Sequence, residues 1–376
     1  MLYLDHAATA PLRPEAAAAM APFLAGEFGN PSGMHGVSRR AKNALEDARE
    51  RAAAVLGAAH PLDVVFTSGG TESDNLAVAG VALAGGRRGG VITTAVEHEA
   101  VLETGRYLAR LGCPFTVVPV DRFGIVDPDQ VAAAVTPSTA VVSVMTANNE
   151  TGVIEPVGDV VAAVARRGVL VHTDAVQAAV SREVSLDELG VDLLTVASHK
   201  LGGPTGVGIL AVRPGIDLEP VIHGGGQELG RRSGTHNVAG IVGAVAALEA
   251  AVIDRKRFIA DVAAARERFE ARLAESIPGV VFTLPGVERL VQHSHLRVPG
   301  VDAETLLVRL DGVGVAASAG SACHSGAMTP SHVLTAMGMT PDHAAECVRF
   351  TFGWNTRPED GETAAAKVVA AVEALR

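Results

Sequence analysis

Aromatic side chains are scarce in this chain: ten Phe, two Tyr and one Trp make up 3% of its 376 residues. Its core must therefore be built mostly from Ala, Val and Leu, and 48% hydrophobic content against 19% charged leaves ample material for that. Cysteine is scarcer still. Three cysteines, an odd number in a long chain, argue against a disulfide framework and match the usage of a reducing cytoplasm. Positive charge is in deficit: 31 Lys and Arg against 42 Asp and Glu give a formal net charge of −11, the wrong sign for a main partner made of phosphate backbone. Long apolar runs are missing too. The most apolar helical stretch, residues 238–253, carries Glu249 and falls short of the about 20 residues a membrane span needs. No leader-like segment precedes Tyr3-Leu4-Asp5, and there is no internal repeat or low-complexity linker. The expectation is a cytoplasmic protein with no membrane association and no direct nucleic-acid contact.

Lysine is the most informative scarcity, with four in the chain. Lys42 follows Arg39-Arg40, Lys256 lies in Asp254-Arg255-Lys256-Arg257, and Lys367 is on the polar face of a C-terminal helical stretch; all three read as solvated. Lys200 differs. It follows the apolar run Leu193-Leu194-Thr195-Val196-Ala197 and precedes Leu201-Gly202-Gly203-Pro204, so its amine emerges from the end of a buried strand into a tight loop. Burial lowers an amine's pKa and makes it a nucleophile toward carbonyls, which a Schiff-base lysine requires.

Two other segments suit the same chemistry. Val169-Leu170-Val171-His172-Thr173-Asp174 reads as a buried strand ending in a carboxylate, followed by Ala175-Val176-Gln177. Upstream, Val64-Val65-Phe66-Thr67 runs into Ser68-Gly69-Gly70-Thr71-Glu72, where glycines and small hydroxyls at a strand-to-helix turn leave backbone N–H groups for a phosphate. A lysine, a carboxylate for a pyridinium nitrogen and a phosphate turn together point to pyridoxal 5'-phosphate. Each segment alone is more often a cap or a turn.

Short β-branched runs at 64–67, 91–94, 116–120, 140–145, 170–173, 193–197 and 208–212 alternate with alanine-rich helical stretches. This pattern predicts a mostly parallel seven-stranded α/β sheet covered on both faces. The candidate site residues fall at strand ends, where ligands bind in open α/β sheets. A helical stretch over 237–275 leads into a smaller α+β unit with strands near 280–283, 295–298 and 348–352. The expected division is a large domain, 13–255, and a small domain, 256–376.

From end to end the chain resembles the pyridoxal-phosphate-dependent cysteine desulfurases of the NifS/IscS class, within the fold type I aminotransferase-like enzymes. The blocks that carry the resemblance include Tyr3-Leu4-Asp5-His6-Ala7-Ala8-Thr9, Gly29-Asn30-Pro31-Ser32, Glu97-His98-Glu99 and Asn148-Asn149-Glu150-Thr151-Gly152. Further along come His172 to Gln177, Ser198 to Gly203, Gly224-Gly225-Gly226-Gln227-Glu228, Arg232-Ser233-Gly234-Thr235 and Ser318-Ala319-Gly320-Ser321-Ala322-Cys323. By analogy, residues 1–12 join the small domain.

The resemblance implies roles. Lys200 holds the cofactor and moves protons, Asp174 keeps its ring nitrogen protonated, Gln177 donates to its phenolic oxygen and His98 stacks on its ring. Gly70, Thr71, Ser198, His199 and, from a neighbouring subunit, Thr235 hold the phosphate, which implies a homodimer with a shared site. Asn149 and Arg349 hold the carboxylate of L-cysteine. One departure stands out: relatives more often place the serine three residues before the lysine, where this chain has Ala197, with Ser198 next to it. The chain also stops soon after its last predicted helix, so an extended docking tail is expected to be short or absent.

Cys323 separates a desulfurase from other enzymes of this fold. Cys113 and Cys347 adjoin apolar strand-like residues and read as small buried hydrophobes, whereas Cys323 lies in a small-residue loop before His324-Ser325-Gly326. The resemblance implies that Cys323 takes the sulfur of L-cysteine as a persulfide, releases L-alanine and passes the sulfur to an iron–sulfur scaffold or tRNA-thiolation protein. A selenocysteine lyase or another fold type I transaminase or lyase is the alternative. Cys323, His324 and His332 match no compact zinc spacing, so no metal is expected.

Overall fold

The computed structural model describes residues 1–319 and 331–376. Cys323 and His324 lie outside the described residues. The chain opens with a two-residue strand, β1 (Leu2–Tyr3). Seven strands then form one sheet: β2 (Val64–Thr67), β3 (Gly90–Thr94), β4 (Phe115–Val118), β5 (Thr139–Ser143), β6 (Leu170–Asp174), β7 (Leu193–Ala197) and β8 (Gly208–Val212). Their order is β2-β8-β7-β6-β5-β3-β4. β8 alone runs antiparallel to its neighbours, β2 and β7; the other pairings are parallel. Every residue of β2, β3, β7 and β8 is buried, as expected of strands covered on both faces. Only the edge strand β4 shows solvent-facing residues, Thr116 and Val117.

The runs at 116–120 and 140–145 promise longer strands than β4 and β5. Beyond β4, Val120 bridges Val126 instead of the sheet; beyond β5, Val144 N–H donates to His172 O and Thr146 N–H to Asp174 O.

The second unit holds β9 (Val281–Phe282), β10 (His293–Arg297), β11 (Val315–Ala316) and β12 (Cys347–Thr351). β10 pairs antiparallel with β9 and β12, while β11 pairs in parallel with β1, drawing the N-terminus into this unit. At two residues each, β1 and β11 are too short for a periodic pattern to reveal.

One helix, Val238–Ser276, serves both units. Its first part buries Val238, Ile241, Val242, Ala244, Val245, Ala247, Leu248 and Ala251 in the core under the large sheet. Its second part presents Phe258, Val262, Ala265, Phe269 and Leu273, a stripe at helical spacing, to the core of the small unit. There Phe269 meets Phe350 and Phe352 at ring-centroid distances of 5.0 and 5.7 Å. The helix Asp360–Glu373 crosses so closely that a Cβ on Gly361 would lie 1.9 Å from Ala265 O. Among the described residues no helix is long and apolar enough to cross a membrane.

Candidate active site

Lys200 ends a single 3-10 turn, Ser198–Lys200, that follows β7. Its Nζ donates to the carbonyls of Ala7, at 2.5 Å, and Ala8, at 2.7 Å. Burial, reinforced by the nearby Arg349 cation, pulls this ammonium down to about 8, although Asp174 and Asp5 act to raise it. Gln177 Nε2 also donates to Ala7 O, at 3.0 Å, leaving its second N–H for another acceptor. The N-terminal turn is thus a meeting point for side chains far along the chain.

Asp174 closes β6, nearly buried, with Oδ1 accepting from Val176 N–H at 2.8 Å. Beneath it, His172 lies between Ser143 Oγ (2.9 Å) and Thr195 Oγ1 (3.0 Å), and Asp74 Oδ1 stands 3.7 Å from His172 Nε2, beyond hydrogen-bond reach. Burial raises both carboxyls, Asp74 the further because Asp174 repels it. Asp174 instead feels the pull of His98 and Lys200. Asp174 is the member of the pair that His98 and Lys200 favour in its charged form.

The helix Gly70–Leu83 starts without any side-chain cap, from Gly69. Its first N–H groups are left for a ligand at the positive end of the helix, and Gly70 and Thr71 occupy that first turn. His199, held down to about 4 by burial and by Lys200, is neutral near pH 7, with Nδ1 3.2 Å from Thr9 Oγ1. Ser198 opens the turn that ends in Lys200. Its Oγ is buried without a partner, a Cβ on Gly203 would stand 2.2 Å from it, and its backbone N–H is taken by Val207 O. The hydroxyl therefore lies beside Gly203, and the backbone N–H is already used within the fold.

His98 caps the helix Glu99–Arg110, its Nδ1 accepting from Ala100 N–H at 3.1 Å, and its ring is exposed. Arg349, on β12 and 3% exposed, donates through Nη1 to Asn149 O at 2.9 Å and through Nη2 to Asp5 Oδ1 at 2.8 Å. The side-chain amide of Asn149 makes no hydrogen bond among the described residues. Thr235 is exposed and stands apart from these bonds, in a loop held by Glu228. Cys113 and Cys347 are buried, as small hydrophobes would be, and burial pushes the Cys347 thiol up to about 12.

A family model for aminotransferase class-V matches residues 2–362. The chain belongs to this family. It is 44% identical over 360 residues to the cysteine desulfurase IscS of Dictyoglomus turgidum, covering 96% of this chain and 91% of that one. A solved NifS-like protein superposes with a TM-score of 0.92 at 35% identity, covering 99% of both chains. The structure of SspA in complex with cysteine superposes at 0.83 with 32% identity, covering 94% of this chain and 99% of that one. The fold is accordingly that of the fold type I aminotransferase-like enzymes.

Pyridoxal 5'-phosphate is the cofactor of this family, and the residues present fit it. An uncapped helix start suits the phosphate, a buried carboxyl the ring nitrogen, an open imidazole the ring face and an amine of lowered pKa the aldehyde. Sequence reasoning missed Asp5 as the partner of Arg349 and the carbonyls of Ala7 and Ala8 as acceptors for Lys200. The only available signal was their place in the block at residues 3–9.

Proposed function

We propose that this chain is a cysteine desulfurase that converts L-cysteine to L-alanine and leaves the sulfur as a persulfide on Cys323. One observation carries the reading: the Lys200 amine and the Arg349 guanidinium both reach the same four-residue N-terminal turn, at Ala7 and Ala8 and at Asp5. The amine that would carry the cofactor and the cation that would engage an α-carboxylate are thus tied to one short segment of chain. The names of the relatives, and the cysteine held in the superposed SspA complex, support the same reading.

Gly70, Thr71, His199 and Thr235 of the partner subunit hold the cofactor phosphate, Asp174 holds the proton on its ring nitrogen, and His98 covers one ring face. When bound, the cofactor supplies an electron sink for charge developing at the substrate α-carbon. Lys200 would carry it on Nζ and would take the substrate α-proton there; its pKa of about 8 leaves a share of free amine near neutral pH. Arg349 and Asn149 orient the carboxylate. The Cys323 thiolate attacks the substrate sulfur, forming an S–S bond as the Cβ–S bond breaks. The bonding pair stays on carbon and Cβ gains a proton, so L-cysteine plus thiol becomes L-alanine plus persulfide with no added oxidant.

The reading extends to a homodimer that completes the phosphate site, cytoplasmic residence and sulfur delivery to an iron–sulfur scaffold or tRNA-thiolation protein. We also assign residues 13–255 to a large domain, and 1–12 with 256–376 to a small one. The burial of Leu4 with Phe258, Phe269, Phe350 and Phe352 in a core apart from that under the large sheet supports this division.

The test is Cys323→Ser. Adding L-cysteine should still change the visible absorption of the variant, because the cofactor and carboxylate contacts are intact. Alanine and sulfide should fail to accumulate, and mass spectrometry should find an added sulfur on the wild-type Cys323 peptide. Near-normal turnover in Cys323→Ser, or the extra sulfur on Cys113 or Cys347, overturns the assignment.

A further inference from the structure

A ligand carboxylate arriving at Arg349 meets an ion pair rather than a free cation. Arg349 Nη2 donates to Asp5 Oδ1 at 2.8 Å and Nη1 to Asn149 O at 2.9 Å, while Nε is buried without a partner. The backbone of Asp5 is fixed independently of its side chain. Its carbonyl accepts from Tyr3 Oη and from the Ala8 and Thr9 N–H groups, and residue 5 bridges in parallel to Thr351, two positions beyond Arg349 on β12. Main-chain structure therefore places residue 5 beside Arg349, and the ion pair holds its carboxylate at the guanidinium.

We propose that Asp5 is a built-in competing carboxylate that sets how tightly Arg349 holds the α-carboxylate of an amino acid. This rests on the reading of Arg349 as the carboxylate partner. Two carboxylates on one guanidinium repel each other across a few ångströms in a partly buried site, where charges are weakly screened. Asp5 also orients the guanidinium, but that service needs only an acceptor at the Oδ1 position. The charge is what weakens the ligand. The device suits a reaction whose substrate and product carry the same carboxylate and the same amine, because uniform tightening there retains the product as firmly as it captures the substrate.

Asp5→Asn separates the two effects, since it keeps an acceptor and removes the charge. The holoenzyme is titrated with L-alanine and, as a ligand without a carboxylate, with ethylamine; binding is read from visible absorption and by calorimetry. Wild type should prefer L-alanine, and Arg349→Ala should lose that preference. Asp5→Asn should bind L-alanine about tenfold more tightly or better, with ethylamine unchanged within about twofold. Asp5→Ser, which removes the charge through a smaller side chain and keeps the backbone contacts, serves as a second variant and should move in the same direction. Unchanged or weaker L-alanine binding in both variants, with the wild-type preference and the Arg349→Ala loss intact, overturns the proposal alone. A wild type without carboxylate preference, or an Arg349→Ala that keeps it, overturns the assignment of Arg349 as well.

Discussion

Lys200 Nζ lies 2.5 Å from the carbonyl oxygen of Ala7, a residue 193 positions earlier in the chain. Main-chain carbonyls stabilise an ammonium, yet burial beside Arg349 still lowers this one to about 8. In the cofactor-free protein, acylation of Lys200 by an amine reagent should therefore rise with pH through a midpoint near 8. Peptide mapping across a pH series reads this midpoint, and a value at the ordinary 10.5 would contradict the environment described for Lys200.

Glu228 anchors the loop that carries Thr235. Its carboxylate takes two bonds from Arg49, at 2.7 and 2.8 Å, and one from His236 at 2.7 Å. Burial alone would raise it, but the hydrogen bonds of His236 and Arg49 prevail and pull it to about 2. Because the folded pKa is depressed, the stabilisation is complete above the unfolded value near 4.5 and is lost as pH falls from about 5 toward 2. Glu228→Gln leaves Arg49 buried without its anion and should cost about 3 kcal/mol at pH 7. Denaturant titrations should show the wild-type advantage shrinking steadily below pH 5.

Ser198→Ala removes a buried hydroxyl that has no partner. Stability should stay level or rise slightly, and cofactor affinity, followed by fluorescence quenching, should stay within about twofold of wild type. A large loss of affinity would return Ser198 to the phosphate site.

Two glycines on helices should respond in opposite directions to alanine. At Gly361 a Cβ would meet the backbone of Ala265 at 1.9 to 2.9 Å, so Gly361→Ala must push one helix off the other, at a cost of roughly 2–3 kcal/mol. Gly158 has nothing within 4 Å of its Cβ position, and Gly158→Ala should gain about 0.5 kcal/mol by restricting the unfolded chain. Thermal unfolding of the two variants settles the comparison.

Legibility followed locality. The seven sheet strands could be found because each is a short buried run bounded by turn residues, and Lys200, Asp174 and Gly70 could be found because each closes or follows such a run. The surroundings of Ser198 were less legible for a related reason. A serine beside the lysine is visible in one dimension, but whether its hydroxyl turns to the site or to Gly203 depends on a close approach five residues later.

By itself the amino-acid order determined the alternation of strand and helix, the helical stripe of Phe258, Val262, Ala265, Phe269 and Leu273, and the chemistry available at the strand ends. Local periodicity and turn chemistry act over a few residues, so they are written in the chain. Tertiary structure alone decided that Arg349 pairs with Asp5 across 344 positions, and that Arg49 reaches Glu228 across 179. It also decided that Lys200 and Gln177 share the carbonyl of Ala7. Such pairs form only when separately folded segments are packed together, because packing fixes which buried donor faces which acceptor and burial penalises every one left unmatched.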